Sequence, residues 1–465
     1  KIWPHLTPSR AQDCDERETR ELLIDRVRYL WRRGEFDRAR SLGERLDTTW
    51  TTRLSTETDE AEAQHQRRQV LGLNFQLGNV MRSQGNFADA LALNERTLAS
   101  QRELLGEHHP STLMTAGSLG ADLRALGRFQ EALDLDLNTL NWFRELFGDN
   151  HARTLAMVNN LAVGQRLVGD SMAARDLDQD TYDRRQAVLG PRHVYTLVSK
   201  SHLARDLREL GDFKGSIELL REVTDEFAEV LQPDLPESLR AAVSLAASLR
   251  REGHLWEARQ LSAQAYERYL ARFGPEAAES LACALNLAAD QHASGEVEAA
   301  RDLASSAHAG YRRLFGDEHP FTLACENNLG IYLRGSGDVE AAIRRGSHTV
   351  DALSSVLGAD HPFTLNARAN LANAFGDAGQ LGSAEELGRA AHAGLVSRYG
   401  PSHPDTVVCA SNLAITLRES DPGKAAELRA GALVELFHRF GEEHPHTVAC
   451  RGWKRIDREL ETQPL

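Results

Sequence analysis

The chain has 465 residues, of which 26% are charged, and a formal net charge of −14. That balance argues against a nucleic-acid partner recruited by overall basicity, and no apolar run approaches the roughly 18 to 20 residues that a membrane span needs. Length alone suggests about three domains, but internal repetition overrides it, because a stacked array needs no single core.

The opening KIWPHLTPSR has neither a methionine nor a signal-peptide pattern, so a fragment of a longer, cytoplasmic protein is expected. Residues 1–20 are read as a linker. Residues 21–62 should hold an atypical first helical pair over 22–47, with Gly34 and Ala39 in its turn. The matching Gly85 and Ala90 come 51 residues later, which leaves nine extra residues. The Thr-rich stretch TTWTTRLSTETDE from Thr48 is the expected place for them.

Residues 63–445 repeat every 42 residues. The phase marker is GEHHPSTL from Gly106, GDNHARTL from Gly148, GPRHVYTL from Gly190, GPEAAESL from Gly274, GDEHPFTL from Gly316, GADHPFTL from Gly358 and GPSHPDTV from Gly400. Gln232 keeps the phase without the glycine. A second series runs in step at Gly85, Gly127, Gly169, Gly211, Gly253, Gly295, Gly337 and Gly379. Glycine closes a helix in the left-handed conformation without a Cβ penalty, so each unit divides into two helices, at about 111–126 and 129–146 and their equivalents 42 residues on. The first helix carries a buried stripe such as Ser199, Leu203, Leu207 and Leu210. The second carries a small residue, Ala90, Ala132, Ala174, Ser216, Ala258, Ala300, Ala342, Ala384 or Ala425, that lets the pair approach closely. One residue is lost between Arg418 and Ala425, and residues 446–465 should form a capping helix over 446–460, wet on its outer face, and a tail.

The candidate chemistry is weak. Cys283, Cys325, Cys409 and Cys450 share one repeat position and read as buried packing residues. His109, His151, His193, His319, His361, His403 and His444 fall one to a turn, which favours capping over metal. Asp134/Asp136 and Asp176/Asp178/Asp180 read as solvated helix surface. No nucleophile, base and oxyanion donor stand together, so neither an enzyme nor a cofactor is expected.

An arginine series is the strongest signal. Arg82, Arg124, Arg166, Arg208 and Arg250 are 42 apart; His292 and Arg334 continue the run, Gly376 breaks it and Arg418 resumes it. Asn159, Asn327, Ser201 and Ser411 lie seven residues earlier on the same face, and Asn79, Arg205 and Asn373 three earlier. A planar fork of donors suits carboxylates. The rungs would stand on the order of 10 Å apart and face either a ligand or acids of neighbouring helices.

Asn160-Leu161-Ala162, Asn328-Leu329-Gly330, Asn370-Leu371-Ala372 and Asn412-Leu413-Ala414, with G-x-x-H-P-x-T between units, resemble the tetratricopeptide repeat. The 42-residue length resembles the long-helix variety of kinesin light chains. LGADLRALG from Leu119, LARDLRELG from Leu203, Trp3-Pro4-His5 and IDRVRYLWRRGEFDRAR from Ile24 resemble the C-terminal repeat region of actinobacterial NB-ARC proteins, signal-transducing ATPases that include the repeat proteins of FxSxx-COOH peptide systems. No G-x-x-x-x-G-K-[ST] occurs here.

The resemblance implies an all-α, right-handed superhelical solenoid of about ten helix-turn-helix repeats with a C-terminal capping helix. Its concave surface would hold an extended protein or peptide, acidic or ending in a free carboxylate, against Arg82, Arg124, Arg166, Arg208, Arg250, His292, Arg334, Arg418, Asn79, Asn159, Arg205, Asn327 and Asn373. An N-terminal NB-ARC ATPase would be the attached partner; a scaffold or autoinhibitory arm without a peptide ligand is the alternative.

Overall fold

The computed structural model describes residues 10–230 and 235–462, so Trp3-Pro4-His5 and Gln232 lie outside the described residues. Among the described residues there are 21 α-helices, a short 3-10 turn at Ala11–Asp13 and no strand. They fall into two compact units, divided after Gly164. The first unit holds α1 (Arg17–Arg32), α2 (Phe36–Leu54), α3 (Glu60–Ser83), α4 (Phe87–Leu105), α5 (Pro110–Ala125), α6 (Phe129–Phe147) and most of α7 (Ala152–Leu167). The second continues with α8 (Ser171–Leu189), α9 (Val194–Glu209), α10 (Phe213–Val230), α11 (Pro236–Glu252), α12 (Leu255–Phe273), α13 (Ala278–Ala293), α14 (Val297–Phe315) and α15 (Pro320–Gly335). It ends with α16 (Val339–Leu357), α17 (Pro362–Asp377), α18 (Leu381–Tyr399), α19 (Pro404–Thr416), α20 (Pro422–Phe440) and α21 (Pro445–Arg451).

Each boundary has a local cause. All eight glycines of the second series have positive φ, from 74° at Gly379 to 94° at Gly253, and each follows the end of a first helix. The His-Pro turns restart the chain: Nδ1 of His319 accepts the Phe321 N–H at 3.1 Å, and Pro320 takes the first helical position, where no N–H is needed. The same cap forms at His109, His151, His193, His361, His403 and His444, which accounts for the histidine series. The small-residue positions are buried, and clusters join adjacent pairs, as where Ala204, Ile217 and Leu220 meet Leu245, Leu249 and Ala258. Enlarging such a site overpacks the pair by about 1–3 kcal/mol. The four repeat-position cysteines are unpaired thiols in this packing.

Within the second unit the array also touches itself at long range. Nε2 of His361, His403 and His444 bonds the carbonyls of Leu167, Glu209 and Arg251, at 3.1, 3.0 and 3.3 Å. Pro362 and Pro404 press on Gly169 and Gly211 so closely that a Cβ there would stand 2.5 and 2.6 Å from the proline ring. These glycines are required for space as well as for φ.

Two expectations are corrected. The extra residues between Gly34 and Gly85 do not sit in the Thr-rich stretch: α2 has the usual 19 residues, and α3 has 24 where a first helix ordinarily has 16. Asp59 caps that longer helix by accepting from Ala61 and Glu62, so the insertion adds turns to its start. The capping helix expected over 446–460 ends at Arg451, and residues 452–462 are not helical. Ile456, Leu460, Glu461 and Thr462 are buried rather than wet, because side chains of earlier repeats take up the backbone that a helix would have bonded internally.

Candidate peptide-binding site

In the first unit the ladder faces inward. Arg82 reaches Asp122 of α5 at 2.7 Å and also bonds Asn79 and the Ser118 hydroxyl. Arg124 bonds Asp136 of α6, whose side chain is fully buried. Burial pushes the Asp136 carboxyl up to about 6 even with Arg124 on it. Asn159 is half-buried on α7. Arg166, in the second unit, repeats the arrangement with Asp178 at 2.7 Å and Asp206 at 2.5 Å. The acids read as solvated surface are thus corrected in part: Asp136 and Asp178 are buried partners of the ladder, turned toward the first helix of their own pair.

Beyond Arg166 the ladder has a different neighbour. After α21 the chain runs back along α19, α17 and α15, toward earlier repeats. Asn412 accepts the Ile456 N–H at 2.9 Å and donates to its carbonyl at 2.7 Å. Asn370 holds Arg458 in the same way, at 3.1 and 2.8 Å, and Asn328 holds Leu460, at 2.8 and 2.9 Å. One repeat therefore takes two residues of an extended chain, which advances about 6.6–6.8 Å per two residues. Asn373 adds a bond to the Ile456 carbonyl, and Asn327 supports the clasp from behind by bonding Asn328 and Asn370.

Alternate side chains of the segment then meet the ladder in order. The guanidinium of Arg418 lies over the Trp453 ring at 5.0 Å. Arg334 pairs with Asp457 at 2.6 Å and also with Asp377, and His292 bonds Glu459 at 2.7 Å. Arg250 and Arg208 hold Glu461 at 3.1 and 3.0 Å. At the missing rung, a Cβ on Gly376 would collide with the guanidinium of Arg455, which bonds Asp377 and Thr416 at 3.1 Å. The segment supplies the arginine that the array lacks.

The electrostatics follow the geometry. Burial would raise the Glu461 carboxyl, but Arg208, Arg250, Arg251 and Arg205 outweigh it and hold it below the usual carboxylate range. Burial works against charge at Glu459 and His292 as well, yet their hydrogen bond lowers the acid and raises the base. Burial, with Arg208 and Arg166 nearby, brings half-buried Arg205 down to about 9.

The site expectations missed Asn328, Asn370 and Asn412, although all three stood in the quoted repeat pattern. Their signal was an amide every 42 residues on a helix face otherwise made of small and apolar groups. Among the described residues no cluster of three or more His, Cys, Asp or Glu could hold a metal ion, and no helix is long and apolar enough to cross a membrane.

Tetratricopeptide repeat profiles match residues 69–136, 116–187, 154–225 and 280–354, and a second profile of the same description matches 364–405. The chain belongs to the tetratricopeptide repeat family. Among solved structures, this tetratricopeptide repeat protein is similar to the apo form of the quorum sensor NprR from B. thuringiensis, at 12% identity over 81% of this chain and 98% of that one, with a TM-score of 0.51. It is similar also to a Rap protein complexed with Competence and Sporulation Factor, at 12% identity over 77% and 99%, TM-score 0.50. A kinesin-light-chain-type protein of Podosopora anserina, with nearly identical TPR-like repeats, shares 27% identity over 44% of this chain and 97% of its own, TM-score 0.36. No curated protein matches the chain.

Proposed function

We propose that the chain is a non-enzymatic binding module whose second unit takes an extended, carboxylate-rich segment of a partner protein along Asn328, Asn370, Asn412 and the ladder from Arg208 to Arg418. One observation carries this reading: the amide clasps grip backbone N–H and C=O groups that every peptide has, while the ladder selects side chains. The Rap protein, of similar fold, was solved complexed with Competence and Sporulation Factor, and a comparable use of the array is proposed here. The finer reading is the sensor arm of a larger cytoplasmic NB-ARC-type signalling protein, and it rests on the LGADLRALG and LARDLRELG segments. The second reading is a structural scaffold or an autoinhibitory or self-assembly arm with no peptide ligand, in which residues 453–462 would simply brace the groove.

The test is selection of ten-residue peptides from a random display library on a full chain whose own segment is loosened by Asp457→Lys, Glu459→Lys and Glu461→Lys. Enrichment of carboxylates at alternate positions, lost on Arg208→Ala with Arg250→Ala at unchanged melting temperature, supports the reading. Selection without acids, or acids retained after the arginine changes, refutes it.

A further inference from the structure

Residues 453–462 behave like a bound peptide that happens to be covalently attached. An internal brace of ordinary kind would be apolar, because taking ion pairs out of water costs more than burying alkyl groups. This segment instead places Arg455, Asp457, Glu459 and Glu461 against charged or polar partners, and the array holds its backbone by the side chains of Asn328, Asn370 and Asn412. Its attachment is also strained. Trp453 has φ 53°, a left-handed conformation that a bulky residue rarely adopts, between exposed Gly452 and exposed Lys454. That conformation closes α21, where the N–H groups of Trp453 and Lys454 donate to the carbonyls of Cys450 and Ala449, at 3.3 and 2.9 Å.

Resting on the peptide-binding reading above, we propose that the segment Trp453–Thr462 is a resident competitor for the groove, and that the partner segment it excludes carries the same alternating pattern: an aromatic residue, a basic residue, then three carboxylates. The register makes the pattern strict. A basic side chain fits opposite Gly376, where the array has left its own arginine out and Asp377 is in reach. Carboxylates fit opposite Arg334, His292 and the Arg250/Arg208 pair. A shift of one residue would turn every one of these side chains to the other face. A tethered competitor on a short linker acts at an effective concentration of roughly millimolar, so a segment whose own affinity for the groove is about micromolar would weaken the apparent affinity of any competing ligand about a thousandfold.

The experiment uses the full chain and, as probe, a labelled peptide with the sequence of residues 453–462 followed by fluorescence anisotropy. It compares the unaltered chain with the Asp457→Lys, Glu459→Lys, Glu461→Lys chain. A third chain carries a protease site inserted after Arg451 and is cut only once folded, so that its groove forms with the segment in place. The lysine chain and the cut chain are expected to bind the probe at least tenfold more tightly than the unaltered chain. A probe carrying Arg455→Asp should bind both at least tenfold more weakly. Equal, tight binding to the unaltered chain overturns the competitor while leaving the peptide-binding reading intact. No binding to either opened chain, with helical content preserved, overturns both. Indifference to Arg455→Asp overturns the register.

Discussion

Arg124 of the first unit and Arg250 of the second occupy one repeat position, yet Arg124 pairs with Asp136 inside the helix stack and Arg250 shares itself between Asp290 and Glu461 of the C-terminal segment. The arginine is the same; the residue 12 positions later is not. Asp136 and Asp178 stand there after Arg124 and Arg166, and each binds its arginine from the second helix. After Arg208, Arg250, His292 and Arg334 the position holds Leu220, Ser262, Ala304 and Gly346, none of them acidic. Where that acid stands, the arginine is drawn into its own helix pair; Arg208, Arg250, His292 and Arg334, which lack it, each reach residues 453–462, while Arg82, followed by Asn94, pairs with Asp122 of the next repeat.

The largest test of that contrast removes the acid. Asp136→Ala strands a buried guanidinium and should lower the stability of the first unit by about 3–5 kcal/mol in urea unfolding, whereas Glu461→Gln should cost the second unit clearly less, because loosening the segment returns Arg208 and Arg250 to water. Equal losses would erase the distinction between brace and rung.

A smaller effect is expected from Asn370→Ala. It removes two bonds to Arg458, each worth roughly 0.5–1.5 kcal/mol, and should raise amide exchange across residues 456–460 by about tenfold or more without altering exchange in the first unit. Unchanged exchange would mean that the clasp does not hold the segment.

The smallest is a pH effect. Docking raises the His292 pKa above its ordinary 6.5: burial opposes the charge, but the bond to Glu459 and the nearby Asp457 exceed burial and the opposing Arg334. The ring of Tyr332 lies beside it at 4.9 Å. A raised base binds its proton more tightly when docked, so its contribution is complete below about 6.5 and fades as pH rises through the docked value. Exchange of the segment, corrected for intrinsic rates, should increase on that alkaline side, and His292→Gln should flatten the dependence.

Much of the fold was legible because glycine acts locally. A residue that alone tolerates positive φ, recurring every 42 positions, sets helix ends without help from distant contacts. Gly376 was legible as a gap but not as a socket, because its complement, Arg455, lies in a different part of the sequence. The end of α21 was illegible for a related reason. Ala449, Cys450, Trp453, Ile456 and Leu460 carry a plausible helical stripe, and propensity yields to tertiary contacts; here three asparagines more than 40 residues away win the backbone. The acids at Asp136 and Asp178 were misread because spacing along one helix says nothing about which member of a pair meets an arginine on another.

The bonds from His361, His403 and His444 to carbonyls about 194 residues earlier change how the second unit can come apart. A simple stack has only nearest-neighbour terms and frays from its ends. In this unit the last pairs are stitched to the first, so fraying at either end opens the other, and unfolding becomes a concerted event with a high sequence separation to overcome on the way back.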